Sequence, residues 1–167
     1  MRILGIDPGL AMVGYGLVEE NEGSTFKKID YGHISTPKGL ELPRRLGIIF
    51  NSVQQLIARF SPDELALEKL FFCKNVKTAL QVGEARGAII TAAVLNETPV
   101  FEYTPLQVKQ AVAGYGRAEK KQVQQMVSLL LKLSKIPRPD DAADALAVAL
   151  CHLQSRRWQK LTARLLQ

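Results

Sequence analysis

Cysteine and histidine are scarce: the 167 residues include two cysteines, Cys73 and Cys151, and two histidines, His33 and His152. Neither cysteine stands in a Cys-x-x-Cys or Cys/His spacing, so a structural zinc site is not expected. So few thiols in a chain of this length point to a reducing compartment. Long hydrophobic runs are missing too. The longest apolar stretch, Gly87 to Leu95, falls far short of the roughly 20 residues that span a bilayer. Asp7 arrives too early for the apolar region of a signal peptide. The expectation is a cytoplasmic protein with no membrane attachment. There is no internal repeat, no low-complexity tract and no linker long enough to divide the chain. One domain over residues 1–167 is therefore expected, with a basic tail from about 156.

What is present is an ordinary globular composition, 47% hydrophobic, with an excess of positive charge. Lysine and arginine total 22 against 16 aspartates and glutamates, a net charge of +6. A basic protein of this size attracts polyanions, and nucleic acid is the leading candidate.

The segment Ile3-Leu4-Gly5-Ile6 reads as a short buried strand closed by Asp7-Pro8-Gly9. Met12–Glu19 and Phe26–Thr36 read as two further strands, and their short connections favour an antiparallel meander. Residues 42–60 carry apolar side chains at helical spacing: Leu46, Ile49, Phe50, Val53, Leu56, Ile57 and Phe60. A fourth strand is expected over Asp63–Leu70, with Leu65-Ala66-Leu67 as its buried centre. A long helix rich in small residues follows over Asn75–Leu95, and then a fifth strand over Pro99–Tyr103. Helices are expected over Pro105–Ala113, about Ala118–Leu133, and about Asp140–Trp158, the last after the joint Ile136-Pro137-Arg138-Pro139. Strand one beside strands four and five forms the parallel part of such a sheet, with the meander on its other side.

Carboxylates recur where apolar segments end. Asp7 closes the first strand and Glu68 closes the fourth, while Asp141 and Asp144 lie three apart at the start of an apolar helix. A lone Asp before Pro-Gly is an ordinary turn residue. An Asp beside a helix N-terminus satisfies free N–H groups, which suits Asp140 after Pro139. It suits further acids on the same turn poorly, because like charges repel there. Four acids set against apolar segments are costly to gather without a cation. Hard divalent ions such as magnesium take oxygen ligands. A pair of such ions catalyses in-line displacement at phosphorus. No histidine or cysteine accompanies the acids, so softer metals fit worse.

The segments LGIDPG, ELALEKLF, ARGAI, VFEYTPLQVKQAV, AEKKQVQQMV and DAADALAVA occur in that order between Arg2 and about His152. Together they resemble the RuvC family of bacterial Holliday-junction endonucleases. The resemblance implies an α/β, ribonuclease H-like fold: a mixed five-stranded sheet, antiparallel meander plus parallel strands, flanked by helices. It implies a homodimer that binds four-way junction DNA in recombination and repair. Such an enzyme nicks two strands of like polarity and leaves 5′-phosphate and 3′-hydroxyl ends. It also implies two Mg2+ ions per subunit, with Mn2+ as a possible substitute, and a RuvA–RuvB branch-migration complex as partner. Carried over by motif, the catalytic, metal-binding acids are Asp7 in GIDPG, Glu68 in LALEKLF, and Asp141 and Asp144 in DAADAL. Lys109 in QVKQ and Lys120 in AEKKQ resemble DNA-contacting lysines, and Phe71 resembles an aromatic that stacks on or wedges bases at the crossover. The helix around Gly83–Ala93 resembles the dimer-forming helix. The extra Asp140 departs from the pattern, since it too shares a helical face with Asp144.

Lys74, Lys77, Arg86, Arg117 and Lys121 are further candidates for tracking phosphates. Both histidines are expected to be structural or superficial. Other readings stay open. GIDPG with Gly14 and Gly16 also suits a phosphate-binding hairpin of the sugar-kinase type, but those enzymes need a second domain. A related nuclease acting on RNA, or a scaffold that binds junctions without cutting, would keep the fold. The intact set of acids weighs against the scaffold.

Overall fold

Ile3, Leu4 and Ile6 have no solvent exposure at all, which marks their strand as the middle of the sheet. The computed structural model describes residues 1–21, 25–70 and 76–165. β1 (Arg2–Asp7) pairs antiparallel with β2 (Met12–Glu20), which pairs antiparallel with β3 (Phe26–Ser35). On its other side β1 pairs parallel with β4 (Glu64–Glu68), which pairs parallel with β5 (Val100–Tyr103). The order is β3-β2-β1-β4-β5, the meander-plus-parallel sheet expected from the element order. β1 is thus where strand direction switches. Ligands of open α/β sheets gather at the carboxyl ends of strands near such a point.

Alternation along the strands separates two apolar layers. Leu4, Ile6, Leu65 and Leu67 face one way and meet Ile49, Val53 and Ile57 of α1 (Leu42–Phe60) and Ala85, Ile89 and Ala92 of α2 (Val76–Leu95). Ile3, Val18 and Ala66 face the other way. They meet α3 (Pro105–Ala113), α4 (Lys120–Leu130) and α5 (Asp140–Leu165). From Ala145 to Leu153 every residue of α5 is buried, so this helix is the spine of the second layer.

Three glycines let α5 lie directly on the sheet. A Cβ added to Gly5 would strike the carbonyl oxygen of Ala145, and one on Gly16 would reach the Leu146 side chain at 2.7 Å. A Cβ on Gly14 would strike the backbone carbonyl of Asp141. Gly14 is the register partner of Asp7. The helix start that carries Asp141 is therefore seated beside the end of β1.

Some ends differ from the sequence expectation. β4 stops at Glu68 rather than Leu70: Lys69 N–H still donates to Tyr103 O at 2.7 Å, but Leu70 is 40% exposed. α4 is shorter than expected because Lys132 adopts a left-handed φ of 52° just after it. α5 continues to Leu165 rather than ending near Trp158, so most of the basic tail is its last turns. No Gly or Pro interrupts that stretch. Among the described residues no helix is long and apolar enough to cross a membrane.

Candidate active site

Asp7 and Glu68 end adjacent parallel strands, one step beyond the register pair Ile6 and Leu67. Strand alternation turns both toward the α5 face, with Gly5 and Ala66. α5 begins at Asp140, so Asp141 lies in its first turn while Asp144 opens the second.

The acids act on one another strongly. Burial pushes Asp7 up to about 8, and the charges of Glu68, Asp144 and Asp141 push the same way against Lys120. Glu68 is pushed up to about 6, by burial first and then by Asp144, with Lys120, Arg86 and Lys109 opposing. Asp144 is raised by burial, although its hydrogen bond to Lys120 opposes the rise. Lys120 Nζ stands 2.8 Å from Asp144 Oδ2 and 3.7 Å from Asp140 Oδ2. Burial lowers the affinity of this ammonium for its proton, but the bond to Asp144 and the neighbouring acids outweigh that and raise it.

Among the described residues no three Asp, Glu, His or Cys side chains stand close enough together to grip a metal ion as they are placed. The chemistry of the set nonetheless suits one. All four donors are carboxylates, which hard divalent cations prefer. Burial and like charge keep the Asp7 carboxyl largely protonated at neutral pH, and positive charge close by favours its ionised form. Lys120 occupies part of that role with a point charge. Asp141 is among the charges that act on Asp7, whereas Asp140 pairs with Arg138 and, more distantly, with Lys120.

The two expected lysines converge on the same place. The Thr104 hydroxyl accepts from Gln107 N–H at 3.3 Å, and Gln107 Oε1 accepts from Thr104 N–H at 2.8 Å. This capping box starts α3 and fixes the turn that carries Lys109. Gln122 likewise caps Glu119 N–H at 2.8 Å, immediately before Lys120. Glu68, Lys109, Lys120 and Asp144 then line a cleft of about 240 Å³ walled by Val108 and Val123. Arg86, a candidate for phosphate, is instead committed inside the protein: its two terminal nitrogens reach Glu68 O and the Glu102 carboxylate. Phe71 and Lys74 lie outside the described residues.

One polar cluster escaped the sequence reading. His33 is exposed, but His152 is completely buried. The Tyr103 hydroxyl donates to His152 Nδ1 at 2.7 Å, and His152 Nε2–H donates to Glu64, whose other oxygen pairs with Arg156 at 3.0 Å. Phe101 lies against the imidazole with ring centroids 4.7 Å apart. The signal was available: His152 sits in the middle stretch of α5, which is apolar all round, and Glu64 shares a strand face with Ala66 and Glu68.

A mixed sheet in this order, with acids at the ends of β1 and β4 and a helix laid across them, is the ribonuclease H-like architecture. A family model, that of the crossover junction endodeoxyribonuclease RuvC, matches residues 3–152. The chain belongs to the RuvC family. It is 58% identical over 156 residues to the crossover junction endodeoxyribonuclease RuvC of Brevibacillus brevis, covering 93% of both chains. The solved structure of Thermus thermophilus RuvC in complex with Holliday junction substrate superposes with a TM-score of 0.91. That match has 38% identity and covers 95% of this chain and 96% of the other. The yeast mitochondrial Holliday junction resolvase shares the fold at a TM-score of 0.69 and 14% identity, over 98% of this chain and 85% of its own.

Proposed function

We propose that this chain is a structure-selective endonuclease that resolves four-way DNA junctions in recombination and repair. It cuts by paired nicks that leave 5′-phosphate and 3′-hydroxyl ends. Family membership supports the activity, and the junction-bound relative supports the substrate. The observation that carries the chemistry is the placement of Asp7 and Glu68 at the ends of adjacent parallel strands, on the face where the start of α5 brings Asp141 and Asp144.

Asp7, Glu68, Asp141 and Asp144 are the residues that would hold two Mg2+ ions, or Mn2+ in their place. When bound, such ions supply activation of the attacking water and stabilisation of the leaving oxygen. The protein's part is placement. Asp7 and Glu68 are fixed by the sheet, and Asp141 and Asp144 by a helix that lies directly on the glycines beneath it. Lys109 and Lys120, which line the same cleft as Glu68 and Asp144, bind the phosphate that the acids alone would repel. Phe71 is proposed to stack at the crossover.

Paired nicks call for two sites, and the outer face of α2 suits a homodimer contact. Val76 and Leu80 are 71% and 65% exposed, beside a hollow of about 520 Å³ that Leu70 and Gly83 also line. Gly83 and Gly87 have open space where a Cβ would stand, so a second helix can come close. By family, the RuvA–RuvB branch-migration complex is the proposed partner and the cytoplasm the proposed location.

The test is cleavage of a synthetic four-way junction, a linear duplex and an RNA–DNA hybrid, with and without magnesium. Magnesium-dependent cutting confined to the junction is expected. Preferential cutting of the hybrid, or cutting of all three alike, would overturn the reading.

A further inference from the structure

Asp141 borders a second cleft beside the β1–β2 turn, whereas Lys109 and Lys120 lie on helices that follow β5, at the other edge of the sheet. It has a volume of about 450 Å³, and its lining includes Asp141, Leu10, Lys38, Arg45 and Gln81. Asp141 supplies the negative edge that it shares with the acid cluster. The other charged side chains of its lining are Lys38 and Arg45, both cationic.

Arg45 is held there by a short relay. Its Nε–H donates to the hydroxyl of Thr36 at 2.8 Å. Thr36 is 5% exposed, and its hydroxyl donates to the carbonyl of Leu10 at 2.6 Å, while its N–H donates to Ala11 O at 3.1 Å. Leu10 and Ala11 belong to the turn that leaves Asp7 for β2. Only Nε of the guanidinium is used in this relay. Among the described residues no carboxylate lies within ion-pair reach of its two terminal nitrogens, although the residue is half-buried. A planar fork fixed at one corner and open at the other two is suited to bidentate recognition of a phosphate. Lys38 is exposed beside it as a second point charge.

We infer that this cleft is a second phosphate subsite, in which Arg45 and Lys38 hold a backbone phosphate neighbouring the cleaved one on the same DNA strand. The inference rests on the nucleic-acid reading above. Arg45 makes the contact, and Thr36 is a positioning residue that ties the contact to the turn after Asp7. A strand that crosses the acids is then gripped on both sides, by Lys109 and Lys120 on one and by Arg45 and Lys38 on the other. Slippage of the target bond past the acids is resisted.

The experiment measures binding of a fluorescent four-way junction, and of a linear duplex, by the full chain across a range of salt. An Asp7→Asn background prevents cutting, and cutting rates are taken in the unsubstituted background. Arg45→Ala is expected to weaken junction binding about tenfold and to reduce the slope of log affinity against log salt by about one. Its melting temperature should stay unchanged. Arg45→Lys, which keeps the charge and loses the fork, should keep the slope and still cut slowly. Unchanged affinity and slope in Arg45→Ala would overturn the subsite. So would a lower melting temperature that Arg45→Lys fails to restore, since the residue would then be structural. The junction reading fails separately. If the unsubstituted chain does not cut junctions, yet Arg45→Ala still lowers the slope on duplex, the subsite stands and the substrate assignment falls.

Discussion

Asp7 stands where the sheet changes strand direction, and its surroundings set a clear pH dependence. Its folded pKa, about 8, lies above the ordinary aspartate value of about 4. The folded state therefore binds the extra proton, and folding stability falls as pH rises from about 4 to about 8. Asp7→Asn removes that burden. In metal-free buffer its melting temperature should exceed that of the unsubstituted chain at pH 8, with a smaller gap at pH 5. On the proposed metal assignment, magnesium should raise the melting temperature of the unsubstituted chain more at pH 8 than at pH 5, because a proton and the ion would compete for the same carboxylates. Thermal melts at the two pH values, with and without magnesium, check both statements. At this scale much was readable in advance. An aspartate directly after Ile6 and a glutamate directly after Leu67 interrupt apolar runs at equivalent places in two strands. The embrace of Asp144 by Lys120 was not readable, because it depends on how α4 meets α5, and no local pattern encodes that distance.

α5 is the element on which the acid site depends, and it is held in two ways. At its start it rests on bare glycine backbone. Gly14→Ala should push Asp141 away from Asp7 and abolish cutting, even where circular dichroism reports a folded chain. Further along, His152 ties it to β4 and β5 through Glu64 and Tyr103. His152→Ala leaves both partners short of a hydrogen bond inside the protein and should cost roughly 2–4 kcal/mol in urea denaturation. Burial lowers the pKa of His152, and Arg156 adds to this, while the bond to Glu64 opposes it. The imidazole is thus neutral when folded and gains a proton more readily when unfolded. Stability from this group is full above about pH 6.5 and declines as pH falls below it. Denaturation at pH 7 and pH 5 should show that decline, and His152→Ala should lose much of it. Helical spacing revealed α1 because one face is apolar: Ile49, Val53 and Ile57 recur four apart. α5 is apolar all round near its middle, so its existence was plain but not which residues it pressed on which strand. Its far end was read short because basic residues there resemble a solvated tail.

For the whole molecule, the outcome rests on two faces of unlike character. One is the line of clefts across the carboxyl ends of β1 and β4, acidic at its centre and basic on either side. The other is the outer face of α2 with its exposed apolar side chains. On the proposed homodimer, Leu80→Glu should give a monomer by light scattering where the unsubstituted chain gives a dimer, and lose the paired character of the nicks, while the isolated subunit keeps its fold. The sheet order followed from segment lengths, since short connections make a meander and a helix between strands makes a parallel crossover. The second cleft had no such signature. Lys38 from the β3–α1 connection, Arg45 from α1 and Asp141 from α5 meet only in the folded chain. Junction cutting by the Asp7→Asn chain, measured beside its junction binding in magnesium, reaches the central claim most directly. The account predicts cutting reduced below detection with affinity within a few-fold of the unsubstituted chain, since phosphate contacts carry the binding; an Asp7→Asn chain that cuts at the ordinary rate would contradict it.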